Sequence, residues 1–240
     1  MPEGHIPRIA LVLAAAALAA GCASSSNGRK GGGEHGSSGL EQQDPYTLVA
    51  KINLISGYKA VNPDGTINVV VEIPAGTNQK WEVSADGNSL VWEFDGDKPR
   101  VIHYLPYPGN YGMIPRTLLR PERGGDGGAL DVMVLGPWVP RGSVIRARPI
   151  GVIELLDRGE QDDKILAVME GSPLASVTDV QSLDREFPGA RTILKTWFSN
   201  YVGKSMVMLG VGSRGTARGK IEDAAAAHRE SRQAPGTPQS

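Results

Sequence analysis

Ile67-Asn68-Val69-Val70-Val71-Glu72-Ile73-Pro74 is the stretch from which the rest of this chain can be read. Ile67, Val69, Val71 and Ile73 alternate with Asn68, Val70 and Glu72, the period-two pattern of a half-buried strand, and Pro74 stops the run. Glu72 therefore stands at a strand end. Downstream, Lys80-Trp81-Glu82-Val83 predicts a second strand with its two charges on one face and Trp81 and Val83 on the other. Leu130–Leu135 and residues 144–156 give two more, each bounded by Gly, Pro or Asp. Helical spacing comes late: Ile193, Trp197 and Tyr201 fall at i, i+4 and i+8, with Leu194 and Phe198 beside them and Pro188 as an early-turn residue. A terminal helix is expected over about residues 217–229, through the run Ala224-Ala225-Ala226-Ala227. Strands first and helices afterwards predict an α+β, mainly β, domain on a small β-barrel.

The whole chain limits what else is possible. Its 240 residues, 40% hydrophobic and 21% charged, suffice for one domain with a sizeable core plus tails. A net charge of -1 gives no global basic field for nucleic-acid phosphates, and with three Phe there is no run of basic residues interleaved with exposed aromatics. No nucleic-acid partner is expected. One cysteine excludes an intramolecular disulfide.

That cysteine closes a segment with the layout of a secretory signal: His5 and Arg8, an apolar run over residues 9–20, then Leu18-Ala19-Ala20-Gly21-Cys22. The ending resembles a bacterial lipobox. Cys22 is thus the expected lipidation site, with an ordinary cleaved signal and an incidental cysteine as the alternative. The expected division is a signal peptide over 1–21, a flexible Ser/Gly-rich tether over 22–45, a folded domain over 46–230 and a disordered tail over 231–240. The expected location is exported and membrane-anchored, facing the periplasm or the cell exterior.

Two acidic turns carry the candidate chemistry. Asp126-Gly127-Gly128-Ala129-Leu130-Asp131 puts one Asp in a glycine turn and the other at a strand start, and Asp157-Arg158-Gly159-Glu160-Gln161-Asp162-Asp163-Lys164 ends a strand in carboxylates. Hard cations need oxygen ligands, which carboxylates from different loops supply. Either turn alone reads equally as a solvated loop.

Several segments together resemble the soluble family I inorganic pyrophosphatases in order and spacing. These are Val70-Val71-Glu72-Ile73-Pro74-Ala75-Gly76, Lys80-Trp81-Glu82, Tyr107-Pro108-Gly109-Asn110-Tyr111-Gly112, the two acidic turns, and Gly142-Ser143-Val144-Ile145-Arg146-Ala147-Arg148-Pro149-Ile150-Gly151. The resemblance implies a five-stranded OB-type β-barrel with flanking helices, and Mg²⁺-dependent hydrolysis of pyrophosphate to two phosphates. It further implies metal ligation by Asp126, Asp131 and Asp162, with Asp157 and Glu72 completing the acidic cup. Lys80, Arg100, Lys164 and Tyr201 correspond to phosphate-holding groups, while Tyr111, Tyr107 and Glu82 line the cavity. Bacterial relatives commonly form hexamers, so a homo-oligomer is expected too.

The chain departs from that pattern at two places. Gly128 and Ala129 replace the middle Asp and the Pro of an Asp-x-Asp-Pro-x-Asp run, so the expected general-base position has no side-chain acceptor. A positioned base is worth about 10²–10⁴ in rate. Tyr201-Val202 stands where the family usually has Tyr-Lys. The alternative reading is therefore a catalytically weak or inactive lipoprotein that binds pyrophosphate and metal.

Overall fold

In a computed structural model the chain is described over residues 36–37 and 39–233, all within one unit spanning Gly32–Ser240. The expected signal peptide, Cys22, most of the tether and the last residues of the tail lie outside the described residues.

The centre is a closed ring of five strands: β1 (Ile67–Ile73), β2 (Asn110–Ile114), β3 (Leu130–Leu135), β4 (Ser143–Asp157) and β5 (Lys164–Met169). β1 pairs with β2 and β2 with β3, both antiparallel. β3 and β5 run parallel, with Val132 opposite Ile165, and β5 returns antiparallel to β4. β4 then closes the ring on β1, Val144 facing Val70. This is the expected five-stranded barrel.

The length of β4 makes the closure possible. Its register shifts between Pro149 and Gly151, so its first part pairs with β1 and its last part with β6 (Met206–Gly212). An added Cβ at Gly151 would lie 2.7 Å from Gly212 O, so only glycine lets the two backbones approach there.

Alternate side chains fill the ring. Ile67, Val69 and Val71 of β1 meet Val132, Val134, Ile145, Ala147, Ile165 and Ala167, together with Ala217 and Ile221 of α3 (Arg214–Gln233). The other face of the strands carries two further clusters. One, with Met133, Leu155 and Leu166, lies under α1 (Val180–Glu186) and α2 (Ala190–Phe198). The other, with Val70 and Met113, lies under a small sheet ordered Glu41–Asp44, Thr47–Val49, Ser89–Trp92, Trp81–Val83.

Four sequence expectations need correction. β1 is not half-buried but covered on both faces, because the small sheet packs Trp81 and Leu90 onto Val70. The tether does not run to residue 45: Glu41–Asp44 forms a strand with Thr47–Val49, and Gly36–Ser37 pairs with β4, both through backbone hydrogen bonds that leave no hydrophobic signal. The expected tail boundary also shifts, since α3 continues to Gln233. α2, for its part, ends at Phe198, so Tyr201 lies in the following turn, and Ile193 is 62% exposed rather than on the buried stripe of Leu194, Trp197 and Phe198. No helix among the described residues is long and apolar enough to cross a membrane.

Candidate active site

Strand alternation and ring order place the site. Glu72 shares the outer face of β1 with Val70, Asp131 that of β3 with Met133, and Lys164 that of β5 with Leu166, while Tyr111 projects between them from β2. Four neighbouring strands thus present Glu72, Tyr111, Asp131 and Lys164 side by side.

Their contacts are direct. The Tyr111 hydroxyl donates to Asp131 Oδ2 at 2.7 Å, and Lys164 Nζ reaches the same oxygen at 2.6 Å and Asp162 Oδ1 at 2.5 Å. Lys80 Nζ donates to Glu82 Oε1 at 2.6 Å and lies 5.8 Å from the Tyr111 ring centroid. Lys80 and Glu82 thus form an ion pair beside Tyr111. Arg100 pairs with Glu93 at 2.5 Å. An aromatic wall completes this side: Tyr107 lies 5.3 Å from Tyr111 and 4.6 Å from Trp197, whose ring stacks on Tyr201 at 4.3 Å.

The electrostatics follow from crowding like and unlike charges out of water. Glu72 is 5% exposed, and burial, reinforced by the Asp131 charge, pushes its carboxyl up to about 8. Burial works against the Lys80 ammonium, but Glu82, Glu72 and Asp131 outweigh it and hold it up at about 12. Lys164 is raised in the same way, against burial, by Asp131 and Asp162. Asp131 is held below its ordinary value despite burial, because Lys164 and Lys80 face it. At Asp162 burial wins over Lys164 and the carboxyl is raised.

Beside this array opens a cavity of about 670 Å³ lined by Asp126, Asp157, Asp162, Asp163, Arg158 and Lys220, among others. The structure therefore gathers Asp126, Asp157 and Asp162 around one space, with Asp162 joined through Lys164 to Asp131. Glu72 does not line this space and lies near Lys80. Among the described residues no three acidic or histidine side chains converge on a single point, and Lys164 stands between two of the acids. Gly128 sits at the turn of Asp126, its N–H donating to Asp126 Oδ1 at 2.8 Å. Val202 is half-buried against the aromatic cluster.

Sequence reasoning missed three residues here. Arg141 donates from Nε to the Glu72 carbonyl at 2.9 Å and lies 4.5 Å from the Trp81 ring, with burial lowering its guanidinium to about 10. Asp163 and Lys220 form an ion pair of 2.9 Å between the second acidic turn and α3. No local pattern signals either arrangement, since the partners are far apart in the chain.

Known proteins resemble this chain in sequence and in fold. The model of the family described as inorganic pyrophosphatase matches residues 69–230. Soluble inorganic pyrophosphatase 6, chloroplastic, of Arabidopsis thaliana is 31% identical over 166 residues, covering 63% of this chain and 55% of its own. Inorganic pyrophosphatase of a Synechocystis strain is 43% identical over 112 residues, covering 45% and 59%. The crystal structure of inorganic pyrophosphatase from Thermus thermophilus superposes with a TM-score of 0.63 at 25% identity, over 74% of this chain and 99% of that one. The chain spans about half the length of several curated relatives it matches, 55%, 46% and 53% for three of them. Since the matched region runs from within β1 through the other four strands of the ring and the helices into α3, the chain belongs to the inorganic pyrophosphatase family.

Proposed function

We propose that this protein is an inorganic diphosphatase, dependent on a divalent cation such as Mg²⁺, that hydrolyses pyrophosphate to two phosphates. One observation carries the reading: Asp126, Asp157 and Asp162 line a single cavity, and Lys164 joins Asp162 to Asp131, beside which Lys80 is also kept charged by its neighbours. The donor set suits a hard cation, since Asp126, Asp157 and Asp162 offer only oxygen and Asp157 Oδ1 is buried without a hydrogen-bond partner. Asp126, Asp131, Asp157 and Asp162, with Glu72 beyond them, are the residues that would hold it. When bound, the cation supplies an acidified water and screens phosphate charge.

The chain's own groups do the rest. Lys80 and Lys164 present positive charge to phosphate oxygens, and Arg100 adds a third cation once drawn from Glu93. The Tyr111 hydroxyl and Lys164 fix Asp131 as an anion in one orientation. Tyr107, Trp197 and Tyr201 wall the site and limit water. Incubation with pyrophosphate and Mg²⁺ should release orthophosphate, and removal of the cation with a chelator should stop it. No release under either condition would overturn the reading.

A second reading is favoured by Gly128 and Val202: the pocket binds pyrophosphate with Mg²⁺ but does not turn it over. Calorimetry separates the two, because binding without phosphate release belongs to the second alone.

The proposal includes an exported, membrane-anchored protein carrying lipid on Cys22, supported by the apolar run over residues 9–20 that ends at Gly21-Cys22. Membrane-fraction protein should lose its lipid mass and its membrane attachment on Cys22→Ser. A homo-oligomer, a hexamer by resemblance, should show in the mass measured by light scattering.

A further inference from the structure

We infer that the ion pair between Asp163 and Lys220 is a positioning device that lets the C-terminal helix set the cation affinity of the second acidic turn. The inference rests on the cation-dependent reading of the site.

Asp163 lies between two site residues, Asp162 and Lys164, yet its side chain does not join theirs. Asp162 and Lys164 bond to one another, whereas Asp163, just before β5, pairs with Lys220 of α3, and both partners line the same cavity as Asp162. There its side chain is 7% exposed and fully engaged. Oδ1 accepts from Leu155 N at 3.0 Å, and Oδ2 accepts from Gln161 Nε2 at 2.8 Å and from Lys220 Nζ at 2.9 Å. One carboxylate thus ties together the end of β4, the hairpin after it and α3.

The tied segment is the one that needs tying. Asp157 and Asp162 both belong to it, and its turn holds Arg158 at φ 51 and Gly159 at φ 91. A non-glycine residue in the left-handed region persists only where its surroundings enforce it. Asp162 N also bonds to Leu155 O at 3.0 Å, so the residue that Asp163 grips from one side sets the backbone of Asp162 on the other. α3 is in turn anchored in the barrel by Ala217 and Ile221, which flank Lys220 on the helix. Lys220 is therefore a rigid point and Asp163 its handle on the cavity.

A mere charge effect and a positioning effect predict opposite signs for one variant. If only charge mattered, Lys220→Met would leave the cavity more negative and bind Mg²⁺ more tightly, while Asp163→Asn would bind it less tightly. If the pair positions the turn, both variants bind Mg²⁺ more weakly, by roughly tenfold as for other groups that orient metal ligands, and Lys220→Arg stays near the native affinity. The test is calorimetric titration of the full chain and each variant with MgCl₂ alone, with no turnover required. Weakening in both variants and retention in Lys220→Arg is the expected result. Unchanged or tighter binding by Lys220→Met overturns the inference while leaving the proposed function intact. Absence of Mg²⁺ binding by the native chain overturns both.

Discussion

Lys164 Nζ sits 2.6 Å from Asp131 Oδ2 across the one parallel pairing in the barrel ring, where β3 and β5 run side by side. A parallel pair presents equivalent positions of both strands at the same level, so Asp131 at the start of β3 and Lys164 at the start of β5 meet across it. The contact makes Lys164 the counter-ion shared by Asp131 and Asp162, and in the proposed function a hydrogen-bond donor to phosphate oxygens.

Replacing Lys164 by Met should therefore act on stability and on activity in different ways. Without a divalent cation, Asp131 and Asp162 lose their common partner, and unfolding in urea should show a loss of about 3 kcal/mol, at the low end for a broken buried pair because the Asp162 side chain is 36% exposed. Adding Mg²⁺ should restore more stability to the variant than to the native chain. Turnover should still fall by about 10²–10³, the usual effect of losing one charge-stabilising donor.

Glu72 gives the protein a pH dependence with a definite sign. Its carboxyl keeps a proton up to about 8 in the folded chain, whereas the ordinary value is 4.5. Between those values the folded state holds more protons than the unfolded one, so cation-free stability is greatest below the lower value and declines as pH rises toward and through the upper one. Glu72→Gln has no proton to lose, and its stability should exceed the native chain's by on the order of 2–4 kcal/mol at about pH 9. Chemical denaturation at low and high pH in a chelator checks this; a parallel slope in the variant would contradict it.

Gly112 is fixed by close approach rather than by a turn. An added Cβ would lie 1.9 Å from Val70 O, where β2 crosses β1. Gly112→Ala should cost about 3 kcal/mol or more, visible as a lowered urea midpoint, because the clash is with backbone and no side chain can yield. The same displacement should move Tyr111 off Asp131 and reduce activity further than the stability loss explains.

Much of this was legible in the sequence, and the exceptions have physical causes. β1 and β3 are found at Ile67–Ile73 and Leu130–Leu135, as alternation and Pro74 predict, because both strands line one continuous core. Alternation says nothing of what covers a strand's second face, so the burial of Val70 under Trp81 and Leu90 could not be read. The strand Glu41–Asp44 is Glu-Gln-Gln-Asp and is ordered by backbone pairing with Thr47–Val49 and by the Asp44 side chain, which accepts from Tyr46 N, rather than by apolar burial. At the site, Asp126, Asp157 and Asp162 could be nominated from acidic turns and family spacing. Asp163 looked like one more charge in such a turn until the fold brought α3 to it.

Phosphate release from pyrophosphate, measured as Mg²⁺ is titrated into the native chain and into Gly128→Asp, bears most directly on the claim that these carboxylates form a hydrolytic site. Gly128 does not need the left-handed region, and an added Cβ would stand 3.1 Å from Asp126 Oδ1, so the new carboxylate enters the turn beside the cavity. The expected result is Mg²⁺-dependent release by both proteins, faster by about 10²–10⁴ in the variant. Silence from both across the whole titration would contradict it.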